Sequence, residues 1–301
     1  MRKTTASSAA VDPAIAGVRI THPGKMMFPD LGLSKLDIAE YYASVGRWML
    51  PHVKGRPLTL VFCPTGVGKG CTYLRHTKLW GPKAIRRVKI QEKTKIGEYM
   101  VVDTLEGLVS LSQMNVLEIH TWNSTIDHLE QPDRIVFDLD PGTRVSWAQV
   151  IAAAREVRKL LGSIGLDAFV KTTGGRGLHI VVPIIPEHDW SECLEFARAI
   201  AMLMAEENPG SYTTDFRKSG REDKILIDYL RNNRTNTSIA AFSVRAREGA
   251  PVSMPVDWSD LKGSAAPVRF HVKSVRAALA RQRANPWREY WRAKQQLKLP
   301  A

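Results

Sequence analysis

Asp138 and Asp140 stand two residues apart in Arg134-Ile-Val-Phe-Asp-Leu-Asp-Pro-Gly142, and carboxylates so placed can hold a divalent cation. Ile135 to Leu139 reads as a buried strand that Pro141-Gly142 ends. Side chains alternate along a strand, so both carboxylates project from one face while Ile135, Phe137 and Leu139 point to the other. Two carboxylates at the end of an apolar strand repel each other and lose hydration. A bound cation removes both costs, and oxygen-only ligands suit magnesium or manganese. A pair of solvated turn carboxylates is the other reading this spacing allows. Ile225-Leu-Ile-Asp-Tyr229 is a second apolar strand ending in an acid, and Asp228 would complete a three-carboxylate cage for one or two metals.

A phosphate-bearing substrate needs cations and backbone N–H groups near such a metal. Thr173-Gly-Gly-Arg-Gly-Leu-His179 supplies both, because its glycines permit a tight turn that gathers N–H groups, Thr173, Arg176 and His179 around one anion. The run Leu178 to Val182 alternates and is β-branched, so a strand follows the turn rather than the helix of a dinucleotide loop. Arg231, Arg234, Arg245 and Arg247 follow Asp228, and guanidinium binds phosphate oxygens bidentately. Taken singly, each is an ordinary solvated charge. Cys63-Pro-Thr-Gly-Val-Gly-Lys-Gly70 imitates a phosphate loop but has Cys63 where the first glycine belongs and Gly70 where the metal-binding hydroxyl belongs. It reads instead as a basic loop touching a nucleic-acid backbone.

The elements that must position these groups follow from periodicity. Helices are expected over 34–50, with Ser34 as N-cap, and over 103–113, 147–161 and 190–206. Strands are expected over 58–63, 116–121, 135–139, 168–171, 178–182, 224–229 and 239–244. Residues 64–98, rich in Gly, Lys and Arg, read as an exposed basic segment, and residues 1–16 as a flexible tail before a single domain over 17–301. This order predicts an α/β or α+β fold with helices flanking a central sheet.

With 301 residues, 44% of them hydrophobic, the chain can bury a substantial core. Its 43 Lys and Arg against 30 acids leave a net charge of +13, which favours a polyanionic partner, nucleic acid first. No apolar run approaches the roughly 18–20 residues that span a bilayer, so no membrane role is expected. The N-terminus has no apolar core of a secretory signal. Cys63, Cys71 and Cys193 lack metal-ligand spacing and are odd in number, so neither a disulfide framework nor a zinc site is expected, which fits a cytoplasmic protein.

An Asp-x-Asp strand, a Gly-rich turn ending in histidine and a later Asp strand occur here in the order seen in the archaeo-eukaryotic primase–polymerase superfamily. The chain more closely resembles the polymerase domain of bacterial ATP-dependent DNA ligase D. The resemblance extends through His22-Pro-Gly-Lys25, Leu33 to Tyr42, Gly55-Arg-Pro-Leu58, Leu117 to Trp122 and Phe137 to Gly142. It continues in Lys171 to His179, Ile227 to Asn232 and Ser243 to Gly249, covering roughly residues 17–260. It implies a primase–polymerase core with a mixed or antiparallel sheet, acting as a templated nucleotidyltransferase that fills gaps and extends ends in non-homologous end joining. Asp138, Asp140 and Asp228 match metal-binding catalytic residues. His120, Thr173, Arg176, His179, Arg231 and Arg245 match positions around the incoming nucleotide. Lys25 and Lys35 match a site for a 5′-phosphate across a DNA gap, Arg221 a residue near the template, and Tyr73 one of two template-stacking aromatics. Leu74 stands where the second is usual, and Thr173 where serine is usual. The resemblance further implies two Mn²⁺ or Mg²⁺ ions, NTP or dNTP substrates with a ribonucleotide preference, and a bacterial nucleoid location. A DNA ligase and a Ku-type end-binding protein are the implied partners. Two rival readings use the same acids: a two-metal nuclease, and a non-catalytic bridge between DNA ends.

Overall fold

Three long helices begin where a side chain closes the first turn. Ser34, Ser146 and Asp189 each accept a backbone N–H, and Asp37, Gln149 and Glu192 reach back to complete three capping boxes. The computed structural model describes residues 12–68, 70–76, 81–262, 270–281 and 285–297. Its first half runs β1 (Ala14–Ile15), β2 (Val18–Arg19), β3 (Met26–Phe28), β4 (Leu33–Ser34), α1 (Lys35–Val53), β5 (Leu58–Phe62), β6 (Thr72–Leu74), β7 (Ile85–Gln91), β8 (Ile96–Val102), α2 (Leu105–Gln113) and β9 (Val116–Thr121). The second half runs β10 (Arg134–Pro141), α3 (Trp147–Ser163), β11 (Phe169–Thr172), β12 (Leu178–Pro183), α4 (Trp190–Glu207), β13 (Tyr212–Thr213), β14 (Ile225–Asp228), β15 (Ser238–Ile239), β16 (Pro255–Val256) and α5 (Val272–Arg281).

The mixed α/β class is as expected, but two sheets share the work of one. The first has the order β15-β9-β5-β8-β7 with β6 on β5, and the second β13-β14-β10-β12-β11-β16. In the second sheet Ile135, Phe137 and Leu139 enter the main core, towards α3 and α4. Val136, one residue out of phase, packs on Val181, Trp287 and Tyr290 instead. The opposite face of β10 therefore runs Arg134, Val136, Asp138, Asp140, from buried at one end to exposed at the other. The chain crosses between sheets from β9 to β10 and again from β14 to β15, and Asp228 ends β14 at the second crossing.

Several expectations need correction. Cys63 and Cys71 form a disulfide, with S–S 2.03 Å and Cα atoms 4.3 Å apart. A turn through Gly66 and Gly68, both at positive φ, brings the chain back on itself, which sequence spacing alone did not suggest. The segment 64–98 is not merely exposed and basic: it supplies β6, β7 and the start of β8. Arg86, Arg87 and Lys89 belong to the edge strand β7, where Arg and Lys discourage pairing with another chain. Lys69 and residues 77–80 lie outside the described residues. The expected strand over 239–244 stops at Ile239, because Phe242 takes φ +66° and only Val244 bridges onward, to Val252. Of the expected tail, residues 1–11 lie outside the described residues, while Ile15 is in a strand and packs beside Val18 and Ile20.

Candidate active site

Sheet register aligns four polar side chains in one row. Asp138 of β10 pairs with Asp228 of β14 on one side and His179 of β12 on the other, and His179 pairs with Lys171 of β11. Directly opposed residues of antiparallel strands share a face, so the row is Asp228, Asp138, His179, Lys171. Asp140 follows one pleat further out, opposite Leu226. A cavity of about 400 Å³ opens over this face. Eleven of the thirteen residues expected at the site line it: Tyr73, His120, Asp138, Asp140, Thr173, Arg176, His179, Arg221, Asp228, Arg231 and Arg245.

Arg231 bridges the acids. Its Nη2 lies 2.7 Å from Asp228 Oδ2 and its Nε 3.4 Å from Asp138 Oδ2. The short 3-10 turn that carries it is anchored by Asn232, whose amide donates to the carbonyls of Val136 and Tyr229 and accepts from Val136 N–H. Arg221 Nη2 holds Asp140 at 3.1 Å, while its Nη1 is buried without a hydrogen-bond partner. Burial raises Asp228 above the ordinary carboxylate range; Arg231 opposes the rise and the neighbouring Asp138 reinforces it. Asp138 goes the other way: burial would raise it, but His179, Arg231 and Lys171 together hold it well below that range. Burial, with Lys171 nearby, lowers His179 to about 4 despite Asp138. Its Nε2 lies 3.3 Å from Asp138 Oδ1. The other ring nitrogen, Nδ1, is buried without a partner.

The opposite wall comes from the first sheet. His120 Nε2 lies 2.8 Å from Glu118 Oε2, and Glu118 Oε1 accepts from the Ala246 N–H and lies 3.1 Å from Arg245 Nε. Arg245 Nη1 donates to the Thr173 carbonyl at 2.7 Å, which ties this wall to the Gly-rich turn. Gly174 has φ +72°, and a Cβ there would lie 2.7 Å from the Arg245 side chain, so glycine lets the arginine pass. Thr173 Oγ1 is committed within the turn, donating to Gly177 O and accepting from Gly175 N–H. Arg176 spans outward to the carbonyls of Thr143 and Val145.

Lys25 and Lys35 do not line the cavity. They sit together elsewhere, with Lys35 N–H on Lys25 O at 2.8 Å. Lys35 is buried with Nζ on Thr21 O, and burial plus the nearby Lys25 charge lowers it to about 8, a setting that favours an anion. The loop closed by Cys63 and Cys71 packs beside them, where Val67 N–H donates to Met27 O. Tyr73 is 69% exposed and edge-on to His120, whereas Leu74 is half-buried against the core. Phe216, also exposed, lines the cavity.

Reading the sequence alone missed Glu118, Lys171 and Phe216. Lys171 is buried, donates to Ser253 Oγ at 2.8 Å, and is lowered well below its ordinary value by burial. Its one sequence signal was even spacing from Thr173 along a strand. Glu118 alternates with His120, the pattern that placed Asp138 and Asp140 together.

The donor set fits a divalent cation. Among the described residues no three Asp, Glu, His or Cys side chains already converge as a metal cluster. Yet two carboxylates oppose each other across paired strands, and a guanidinium occupies the cation position between them. Asp138 and Asp228, with Asp140 beside them, offer hard oxygen ligands of the kind magnesium and manganese take.

Residues 34–287 match the family described as LigD, primase-polymerase domain. The chain is 35% identical over 293 residues to the multifunctional non-homologous end joining protein LigD of Pseudomonas aeruginosa, covering 97% of this chain and 35% of that protein. It is 26% identical over 290 residues to the bifunctional non-homologous end joining protein LigD of Bacillus subtilis, covering 96% and 46%. It thus spans about a third to a half of the length of these relatives. The polymerase domain from Mycobacterium tuberculosis ligase D in complex with DNA superposes with a TM-score of 0.82 at 30% identity, covering 88% of this chain and 94% of that one. The chain therefore belongs to the LigD primase-polymerase domain family.

Proposed function

We propose that this chain is a template-dependent nucleotidyltransferase that fills gaps and extends DNA ends in non-homologous end joining. The observation that carries the reading is the row Asp228, Asp138, His179 facing an arginine-lined wall across one cavity, in a chain of this family. Asp138 and Asp228, with Asp140, would hold Mn²⁺ or Mg²⁺, which supplies activation of the primer 3′-hydroxyl and charge neutralisation at the leaving pyrophosphate.

The protein's own residues do the positioning. His179, with an unpartnered Nδ1, and Arg245 and Arg247 face the space where a triphosphate would lie. Arg231 must exchange its carboxylate partners for phosphate when a metal enters, and its position between Asp138 and Asp228 keeps it at hand for that role. Fixed cations in a partly buried site stabilise developing charge without reorganising water. Lys25 and Lys35 would hold the 5′-phosphate beyond a gap, Arg221 and Tyr73 the template. The reading extends to a ribonucleotide preference, to a ligase and a Ku-type protein as partners, and to the bacterial nucleoid. The relatives, named as non-homologous end joining proteins, and the DNA-bound structural neighbour support the placing of this activity at DNA ends. No helix of the described residues is long and apolar enough to cross a membrane.

Primer extension on a gapped duplex tests the proposal. Asp138→Ala should abolish nucleotide addition while DNA affinity stays within about twofold, since the basic contacts lie elsewhere. Retained addition, or strand shortening in place of extension, would overturn it.

A further inference from the structure

Beside the main cavity lies a second lobe of about 370 Å³. The two share Tyr73, His120, Arg231 and Thr237, so they are neighbouring compartments of one cleft. Their chemistry differs. The first contains the carboxylates and the Gly-rich turn, while the second adds only Thr59, Arg75 and Asn236. A mostly neutral polar wall beside an exposed tyrosine ring suits a nucleoside better than a triphosphate.

One group in that wall is unsatisfied. Thr59 is 7% exposed and its Oγ1 has no hydrogen-bond partner. It pairs with His120 across β5 and β9, and its strand neighbour Val61 pairs with Tyr73, so it lies on the floor beneath both rings. Two of its neighbours are already engaged: Asn236 Nδ2 donates to Leu230 O at 2.7 Å, and Arg231 Nη1 donates to the Thr237 carbonyl at 3.3 Å. A buried hydroxyl without a partner is uncommon and marks a place where a ligand can supply one.

We propose that Thr59 is a specificity-determining residue that hydrogen-bonds the sugar 2′-hydroxyl of the incoming nucleotide seated in this second lobe. The inference rests on the nucleotidyl-transfer reading, under which the triphosphate lies against the Gly-rich turn and the reacting phosphorus beside Asp138. The nucleoside then extends past Arg231 and His120, two of the four residues the lobes share. A site built to bond a hydroxyl rejects the analogue that lacks it, because the site's own polar group stays unpaired.

The test compares ATP and dATP with magnesium on the full chain, by equilibrium titration and by gap filling. Wild type should bind ATP more tightly than dATP. Thr59→Val, which keeps the shape and removes the hydroxyl, should weaken ATP by about tenfold, the worth of one hydrogen bond, and leave dATP within about twofold. Thr59→Ser should restore the discrimination, which separates a lost contact from a disturbed strand. Equal weakening of both nucleotides, unchanged discrimination in Thr59→Val, or no sugar discrimination in wild type would each overturn the assignment. A wild type that binds nucleotide with sugar discrimination but extends no primer would instead sink the polymerase reading, leaving Thr59 to be decided by titration.

Discussion

Glu118 shows how one acid organises a wall without touching the metal position. Burial alone would raise its pKa, but the His120 hydrogen bond and the Arg245 charge bring it down to about 2, against an ordinary value of 4.5. A carboxylate depressed in the folded state contributes stability that is present above pH 4.5 and lost as pH falls towards 2. The shift corresponds to something on the order of 3 kcal/mol. Denaturant titrations at pH 6 and pH 3 should show wild type losing much of that amount. Glu118→Gln should be less stable at pH 6 and fall less between the two values; parallel profiles would refute the assignment. Asp138, Asp140 and Asp228 were legible in the sequence because acids at the end of apolar strands break a pattern. Glu118 and Lys171 were not, since a charged residue on an alternating strand ordinarily faces water, and only the pairing of β11, β12, β10 and β14 buries Lys171 behind His179.

At the scale of elements, the capped helices and the strands that carry the acids were readable because local rules and burial agree there. The β7–β8 hairpin was obscured by its charges, and the segment after Ile239 by a turn at Phe242 that no local rule marks. The Gly-rich turn has a testable steric requirement. A Cβ on Gly177 would sit 2.3 Å from Leu139 O, so alanine must push β12 away from β10 next to Asp138 and Asp140. Gly162, near the end of α3, would meet nothing within 4 Å. Gly177→Ala should therefore cost about 1–3 kcal/mol and raise the nucleotide KM. Gly162→Ala should add about 0.5–1 kcal/mol and leave KM alone. Thermal melts and initial rates on both variants check the contrast, and indifference at Gly177 would show that the two strands are not held together there.

The net charge of +13 was the plainest whole-chain signal, and it named a polyanionic partner without saying where it binds. The structure separates two basic regions, an arginine-lined cavity over the carboxylates and the Lys25–Lys35 pair on the β3–α1 side. Their separation is invisible to composition, because it depends on two sheets meeting rather than on any local run. The proposed recognition of a gap by both regions has a measurable consequence. Every phosphate neutralised releases counterions, so a footprint of about six phosphates should weaken binding roughly a thousandfold between 50 and 200 mM salt. Lys25→Ala should reduce the steepness of the log–log salt plot by about one on a gap carrying a 5′-phosphate, and should leave it unchanged on an unphosphorylated gap. Lys35 is less suitable for this experiment, since it is buried and its substitution would also disturb the start of α1. If Lys25→Ala and wild type give the same slope on both gaps, the 5′-phosphate is held by other residues, and the basic character of the β3–α1 side serves only the general attraction of DNA.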